Sequence, residues 1–175
     1  AKERNAKIKY VFETHFHADF VSGHIEISKL TGAKIVFGPN AQTKYKVISA
    51  KDNQLFQFGD LQIKALHTPG HTPESTCYLL LSDNGFEQAV FTGDTLFIGE
   101  VGRPDLAVSK EITKETLAGM LYDSLHNILL KLPDYVKVYP AHGSGSACGK
   151  NISSERESTI GLQKKFNYAL QPMSK

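Results

Sequence analysis

The chain has 175 residues, a net charge of +2, 41% hydrophobic and 22% charged residues, a balance typical of one globular domain able to bury a core without staples. There is no Lys/Arg block or basic stripe interleaved with aromatics, which argues against a nucleic-acid partner, and no apolar run nears the roughly 18–20 residues of a membrane helix. No secretory pattern opens the chain, and the two cysteines, Cys77 and Cys148, make no disulfide framework, so the expected setting is the cytoplasm.

The opening "AKERNAKIKYVFET" has no initiating methionine and reads as the last turns of a helix running into a strand that ends at His15. A chain seldom begins inside an element, so native sequence is expected to be missing upstream. "DFVSGHIEISKLTG" has helical spacing at Val21, Ile25 and Leu30, with Gly32 as a C-cap. "AKIVFGP" is a short buried strand. "QLFQFGDLQIKALHTPG" makes two strands around Gly59-Asp60, and "STCYLLLS" and "QAVFTGD" two more. "EITKETLAGMLYDSLHNILLKLP" is the longest helix, with an apolar face at Leu117, Leu121, Leu125, Ile128 and Leu132. "VKVYPAH" is a strand, and "SSERESTIGLQKKFN" a helix with Ser154 and Glu157 as its capping box. Strands and helices mix throughout, which predicts an α/β domain across residues 1–175. The ending "LQPMSK" carries no terminating signal and leaves room for a further domain downstream.

His15, His17 and Asp19 recur at every second position just past a strand, so extended backbone puts them on one side. Two imidazoles and a carboxylate converging there suit a divalent metal. Three more strand ends deliver candidate ligands: His71 in "HTPGHTPES", Asp94 in "FTGDTLF" and His142 in "VYPAHGSG". One such histidine would be unremarkable in a loop, whereas four strand ends acting together point to a site.

In this order, the H-x-H-x-D, G-H, G-D and A-H motifs resemble the metallo-β-lactamase superfamily over about Tyr10 to His142. The resemblance implies an αββα sandwich with metal at one edge of two sheets. The superfamily has several strands before H-x-H-x-D, so the sandwich is expected to lack its N-terminal strands here. In dinuclear members, His15, His17 and His71 would hold one metal; Asp19, the next residue and His142 would hold the second, with Asp94 bridging. The next residue is Phe20, whose ring donates no lone pair, so the second site is expected to be weak or empty.

The stretches "THFHADFVSGH", "LHTPGHTPES", "FTGDTLFIGEVGRPDL" and "PAHGSGSACGK" resemble more narrowly the persulfide dioxygenase branch of the superfamily. That resemblance implies one Fe(II) on His15, His71 and Asp94, a facial triad with open positions for sulfur and oxygen. His17, Asp19 and His142 then orient ligands or water from behind. The implied reaction oxidises a glutathione or coenzyme A persulfide with O2 to sulfite and thiol. Rhodanese domains, fused or separate, are the expected partners, and the fold leaves room for a homo-oligomer. Imidazole and carboxylate accept zinc as readily as iron. A glyoxalase II-like zinc thiolester hydrolase is therefore the alternative, and a non-catalytic metal module of a sulfurtransferase polypeptide stands beside it.

Around this centre, Arg103 in "GEVGRPDL" is expected near the substrate, where it could neutralise an anionic sulfur species, or else to pair with Asp105. Cys148 lies in the small-residue loop "GSGSACGK", with Lys150 able to lower its pKa if adjacent. Arg103, Cys148 and Lys150 are candidate substrate-binding residues, and Arg103 and Cys148 candidate catalytic ones. Cys77 reads as core, and His24 and His67 as satisfied or solvated histidines or else as donors that support the ligands from behind.

Overall fold

The computed structural model describes residues 1–149 and 152–171. Two sheets stack face to face. The smaller is parallel and three-stranded: β1 (Tyr10–Phe12), β2 (Lys34–Phe37) and β3 (Ile48–Ser49). The larger has six strands in sequential order: β4 (Leu55–Phe58), β5 (Leu61–His67), β6 (Thr76–Leu81), β7 (Glu87–Gly93), β8 (Lys137–Pro140) and β9 (Ser158–Thr159). Helix α1 (His24–Thr31) lies against β1 and β2. Helices α2 (Lys114–Asp123) and α3 (Ile160–Phe166) belong to the other half.

Alternation along the strands explains the layering, since successive side chains point to opposite faces. From β5 and β6, Ile63, Ala65 and Tyr78 join Val36, Ala50 and Phe56 between the sheets, with Phe12 packed edge-on to Phe56. The intervening Leu66, Cys77 and Leu79 face the other way, into a core with Leu121, Leu125, Leu129 and Ile160. This is the αββα order expected from the sequence.

Strand direction then gathers the site. β5 and β6 are antiparallel, as are β6 and β7, while β7 and β8 are parallel. The carboxyl ends of β5, β7 and β8 therefore share one edge. The smaller sheet delivers β1 to the same edge, where the Thr76 amide donates to the Thr14 carbonyl. Gly93, at φ 53°, lets the two sheets approach: a Cβ there would sit 2.6 Å from Thr14 Oγ1.

Several elements differ from expectation. The first strand stops at Phe12, and α1 begins only at His24, leaving Val21 98% exposed in the loop; Gly32 does cap the helix, at φ 75°. The long helix starts behind Thr113, whose side chain accepts from the Thr116 amide, and changes pitch to a π-turn at Ser124–Ile128. Leu129, not Ile128 or Leu132, completes its buried row. The expected Ser154–Glu157 capping box does not form. Glu157 binds Lys137 and the Tyr139 hydroxyl, Ser158–Thr159 pairs with β8, and Thr159 caps a shorter α3.

Candidate metal centre

His15, His71 and Asp94, all buried, bring one ligand atom each within 4.8 Å of one another. Asp94 Oδ2 lies 3.7 Å from His15 Nε2 and 3.5 Å from His71 Nε2. Each imidazole is anchored through its other nitrogen. His15 Nδ1 lies 3.0 Å from the Thr14 hydroxyl, and His71 Nδ1 lies 3.0 Å from the Arg103 carbonyl, to which a protonated Nδ1 donates. That tautomer leaves Nε2 with its lone pair facing the centre.

A second cluster adjoins the first. His17, Asp19 and His142 also present ligand atoms within 4.8 Å of one another. His142 Nε2 is 3.2 Å from Asp19 Oδ2 and 3.4 Å from Asp94 Oδ2, so Asp94 stands at the junction of both groups. Phe20 lies over this second cluster, its ring centroid 4.2 Å from that of His17 and 6.1 Å from that of His142. The aromatic ring thus occupies ground beside two ligands and offers no donor to it.

One supporting residue escaped sequence reasoning. Glu13 is buried, with Oε2 3.8 Å from His17 Nε2 and Oε1 3.5 Å from His24 Nδ1, and it accepts from the Ser22 hydroxyl at 2.9 Å. His24 continues outward to the Tyr45 hydroxyl at 2.7 Å. A glutamate in the strand "KYVFET" carries no motif signal; only its position two residues before His15 could have suggested it.

The donors fit a divalent cation. Both Asp94 oxygens, His17 Nδ1 and His142 Nε2 are buried without a hydrogen-bond partner. A partnerless buried carboxylate is costly, and the 3.4–3.7 Å separations from Asp94 to imidazole nitrogens exceed the ~3.2 Å limit of ordinary hydrogen bonds. Such spacings leave room for an ion held jointly. Burial, then the neighbouring His17, His71 and His142, push His15 down to about 2, and burial lowers His17 although Glu13 opposes it. Both imidazoles are therefore neutral and able to ligate.

The loops around the centre are tightly built. A Cβ on Gly102 would run into the Asp94 carbonyl and sit 3.2 Å from His71 Cβ, so only glycine allows this loop against both ligands. A cleft of about 370 Å³ opens over the site, lined in part by Phe16, Asp19, Leu106, Ala147 and Cys148.

The expected accessory residues fare differently. The Arg103 guanidinium makes paired bonds to Asp105 at 2.7 and 3.0 Å, and Arg103 lines a separate cleft with Tyr168. Its carbonyl, not its side chain, reaches His71. Cys148 is buried with Sγ 4.0 Å from Asp19 Oδ2, and burial pushes its thiol up to about 11. Lys150 lies outside the described residues. His67 bonds the Pro73 carbonyl, and Cys77 is core.

Fold and site together define an αββα sandwich with a histidine- and aspartate-built metal site at one sheet edge. The chain belongs to the metallo-beta-lactamase superfamily, whose model matches residues 1–142. Among solved structures, a metallo-beta-lactamase from Staphylococcus aureus aligns with 99% of this chain and 52% of its own, at TM-score 0.85 and 34% identity. The ETHE1 structure from Myxococcus xanthus aligns with 97% of this chain and 65% of its own, at TM-score 0.78 and 30% identity, and supports the narrower branch resemblance. Among curated sequences, the "Probable hydroxyacylglutathione hydrolase glo2" of Schizosaccharomyces pombe is 32% identical over 95% of this chain and 70% of its own length. The chain spans about half the length of further relatives named hydroxyacylglutathione hydrolase.

These relatives correct the expected reaction. Persulfide oxidation rested on the resemblance of four motif stretches to that branch and on Phe20, but the sequence relatives carry the name hydroxyacylglutathione hydrolase. The physical reason is that two imidazoles and a carboxylate accept zinc as well as iron, so the ligand set does not select the chemistry.

Proposed function

We propose that this chain is a metal-dependent thiolester hydrolase, with zinc as its metal and S-acyl derivatives of glutathione or a similar small thiol as its substrate class. One observation carries the reading: a buried, partnerless Asp94 carboxylate stands where two histidine clusters meet under an open cleft. The names of the sequence relatives supply the substrate class.

Held by His15, His71 and Asp94, zinc would supply Lewis-acid polarisation of a carbonyl and acidify water to a pKa of about 7. The remaining work belongs to the chain. Thr14 and the Arg103 carbonyl fix the His15 and His71 rings, so their Nε2 atoms do not reorganise during reaction. Phe16, Leu106 and Ala147 give the cleft an apolar wall that packs the acyl chain and keeps bulk water out. Asp19, the more exposed carboxylate beside His142, accepts a hydrogen bond from the attacking water and orients it toward the thiolester carbon.

The experiment is free-thiol release from S-lactoylglutathione by zinc-loaded protein, with a chelated control. Release that depends on zinc and disappears in His71→Ala supports the reading. Zinc-loaded, folded protein that releases no thiol from this or other S-acylglutathiones contradicts it.

A further inference from the structure

Phe20 leaves the second cluster one donor short, and the fold brings another donor to it. Cys148 Sγ reaches to 4.0 Å from Asp19 Oδ2, and Asp19 Oδ2 is 3.2 Å from His142 Nε2. Asp94, His142 and Cys148 by themselves present ligand atoms within 4.8 Å of one another. The cysteine does not stand alone: Asp94 is 1% exposed, both of its oxygens are partnerless, and the buried His142 Nε2 lacks a hydrogen bond as well. The loop that carries Cys148 is anchored at this spot, since the Arg103 amide donates to the Cys148 carbonyl and the Cys148 amide to the Ser146 hydroxyl.

We propose that Cys148 completes a second cation site with Asp19, His142 and the shared Asp94, its sulfur serving where Phe20 withholds a nitrogen. The site takes a borderline or soft divalent cation of the zinc class, because a thiolate beside imidazole and carboxylate favours such ions over magnesium or calcium. On binding, the S–H bond breaks, its proton passes to solvent, and a sulfur–metal bond forms with no change of oxidation state. The proposal rests on the metal-dependent reading of this centre and adds a ligand to it. It also removes the objection that Phe20 raises to a two-metal hydrolase.

Cobalt(II) reports the ligand directly, through a thiolate-to-cobalt charge-transfer band in the near ultraviolet. Metal-free protein titrated with cobalt is expected to take up a second equivalent as this band grows. Cys148→Ser should lose the band and the second equivalent. Adding Phe20→His to Cys148→Ser should restore the second equivalent without the band. Wild-type protein saturated with cobalt and showing no band overturns the proposal, whatever the folding of the variants. A band that survives in Cys148→Ser overturns it too. His71→Ala, altered in the first cluster, should keep the band. Protein that shows the band but hydrolyses no thiolester leaves this site standing and refutes the reaction.

Discussion

Glu13 Oε2 lies 3.8 Å from His17 Nε2, on the opposite side of the imidazole from the buried, partnerless Nδ1. At this distance the carboxylate acts on His17 through its charge and makes no direct hydrogen bond. Glu13→Ala removes this charge and is expected to lower zinc affinity by less than the roughly 10-fold that losing the partner of a ligating imidazole costs. The Tyr78 hydroxyl donates to the Glu13 carbonyl, which the substitution leaves in place. Competition against a chromophoric chelator measures the change; unaltered affinity would show that His17 needs no such support.

The turn that carries His71 leans on α2. Ser124, 2% exposed at the end of that helix, donates to the Pro69 carbonyl at 2.7 Å. Ser124→Ala leaves this carbonyl without its partner and should destabilise the fold by about 1–3 kcal/mol. The midpoint of urea unfolding gives the stability, and a parallel fall in zinc affinity would show that the helix positions His71. An unchanged midpoint counts against it.

Gly102→Ala drives a methyl group into the Asp94 carbonyl. Because backbone, not a flexible side chain, is the obstacle, the loop must shift away from Asp94 and His71. The expected result is loss of tight zinc binding together with a lower melting temperature. Wild-type affinity in this variant would mean that the ligands tolerate a displaced loop.

Arg103 supplies the site with a carbonyl, so its side chain can be spared. Arg103→Ala is expected to keep wild-type zinc content, because the bond from His71 Nδ1 to the residue 103 carbonyl persists. Metal analysis after gel filtration checks this. Loss of zinc would assign the guanidinium a direct part in the centre.

Zinc should also stabilise the protein as a ligand of the native state. At free zinc 100 times Kd the gain is about 2.7 kcal/mol, because the donors converge only in the folded chain. Melting scans of chelated and zinc-restored protein test this; identical curves would contradict a preformed site.

Much of this arrangement is legible in the sequence, for reasons that also mark where reading stops. His15, His71 and Asp94 stand beside strand ends, and strand direction makes those ends converge, so local patterning sufficed to find them. Most sheet strands announced themselves by apolar runs and by turns such as Gly59, which adopts φ 59°, whereas the two-residue strands Ile48–Ser49 and Ser158–Thr159 are too short to carry such a signal. Glu13 was invisible because its value comes from His17 and His24 folding back upon it. The α3 start was misread because Glu157 answers to Lys137 and Tyr139 across the sheet instead of capping its own helix. Leu129 replaced Ile128 in the buried row because a π-turn shifts the helical phase, which no fixed period anticipates. The reaction is not legible in the ligands, which suit iron and zinc alike; the motif resemblance pointed to one branch and the names of the sequence relatives to another.

The most direct test of the central claim is an anomalous difference map from crystals of zinc-loaded protein. A peak bonded to His15 Nε2, His71 Nε2 and an Asp94 carboxylate oxygen is expected. A peak held by other side chains, or none at these three in zinc-saturated crystals, would contradict it.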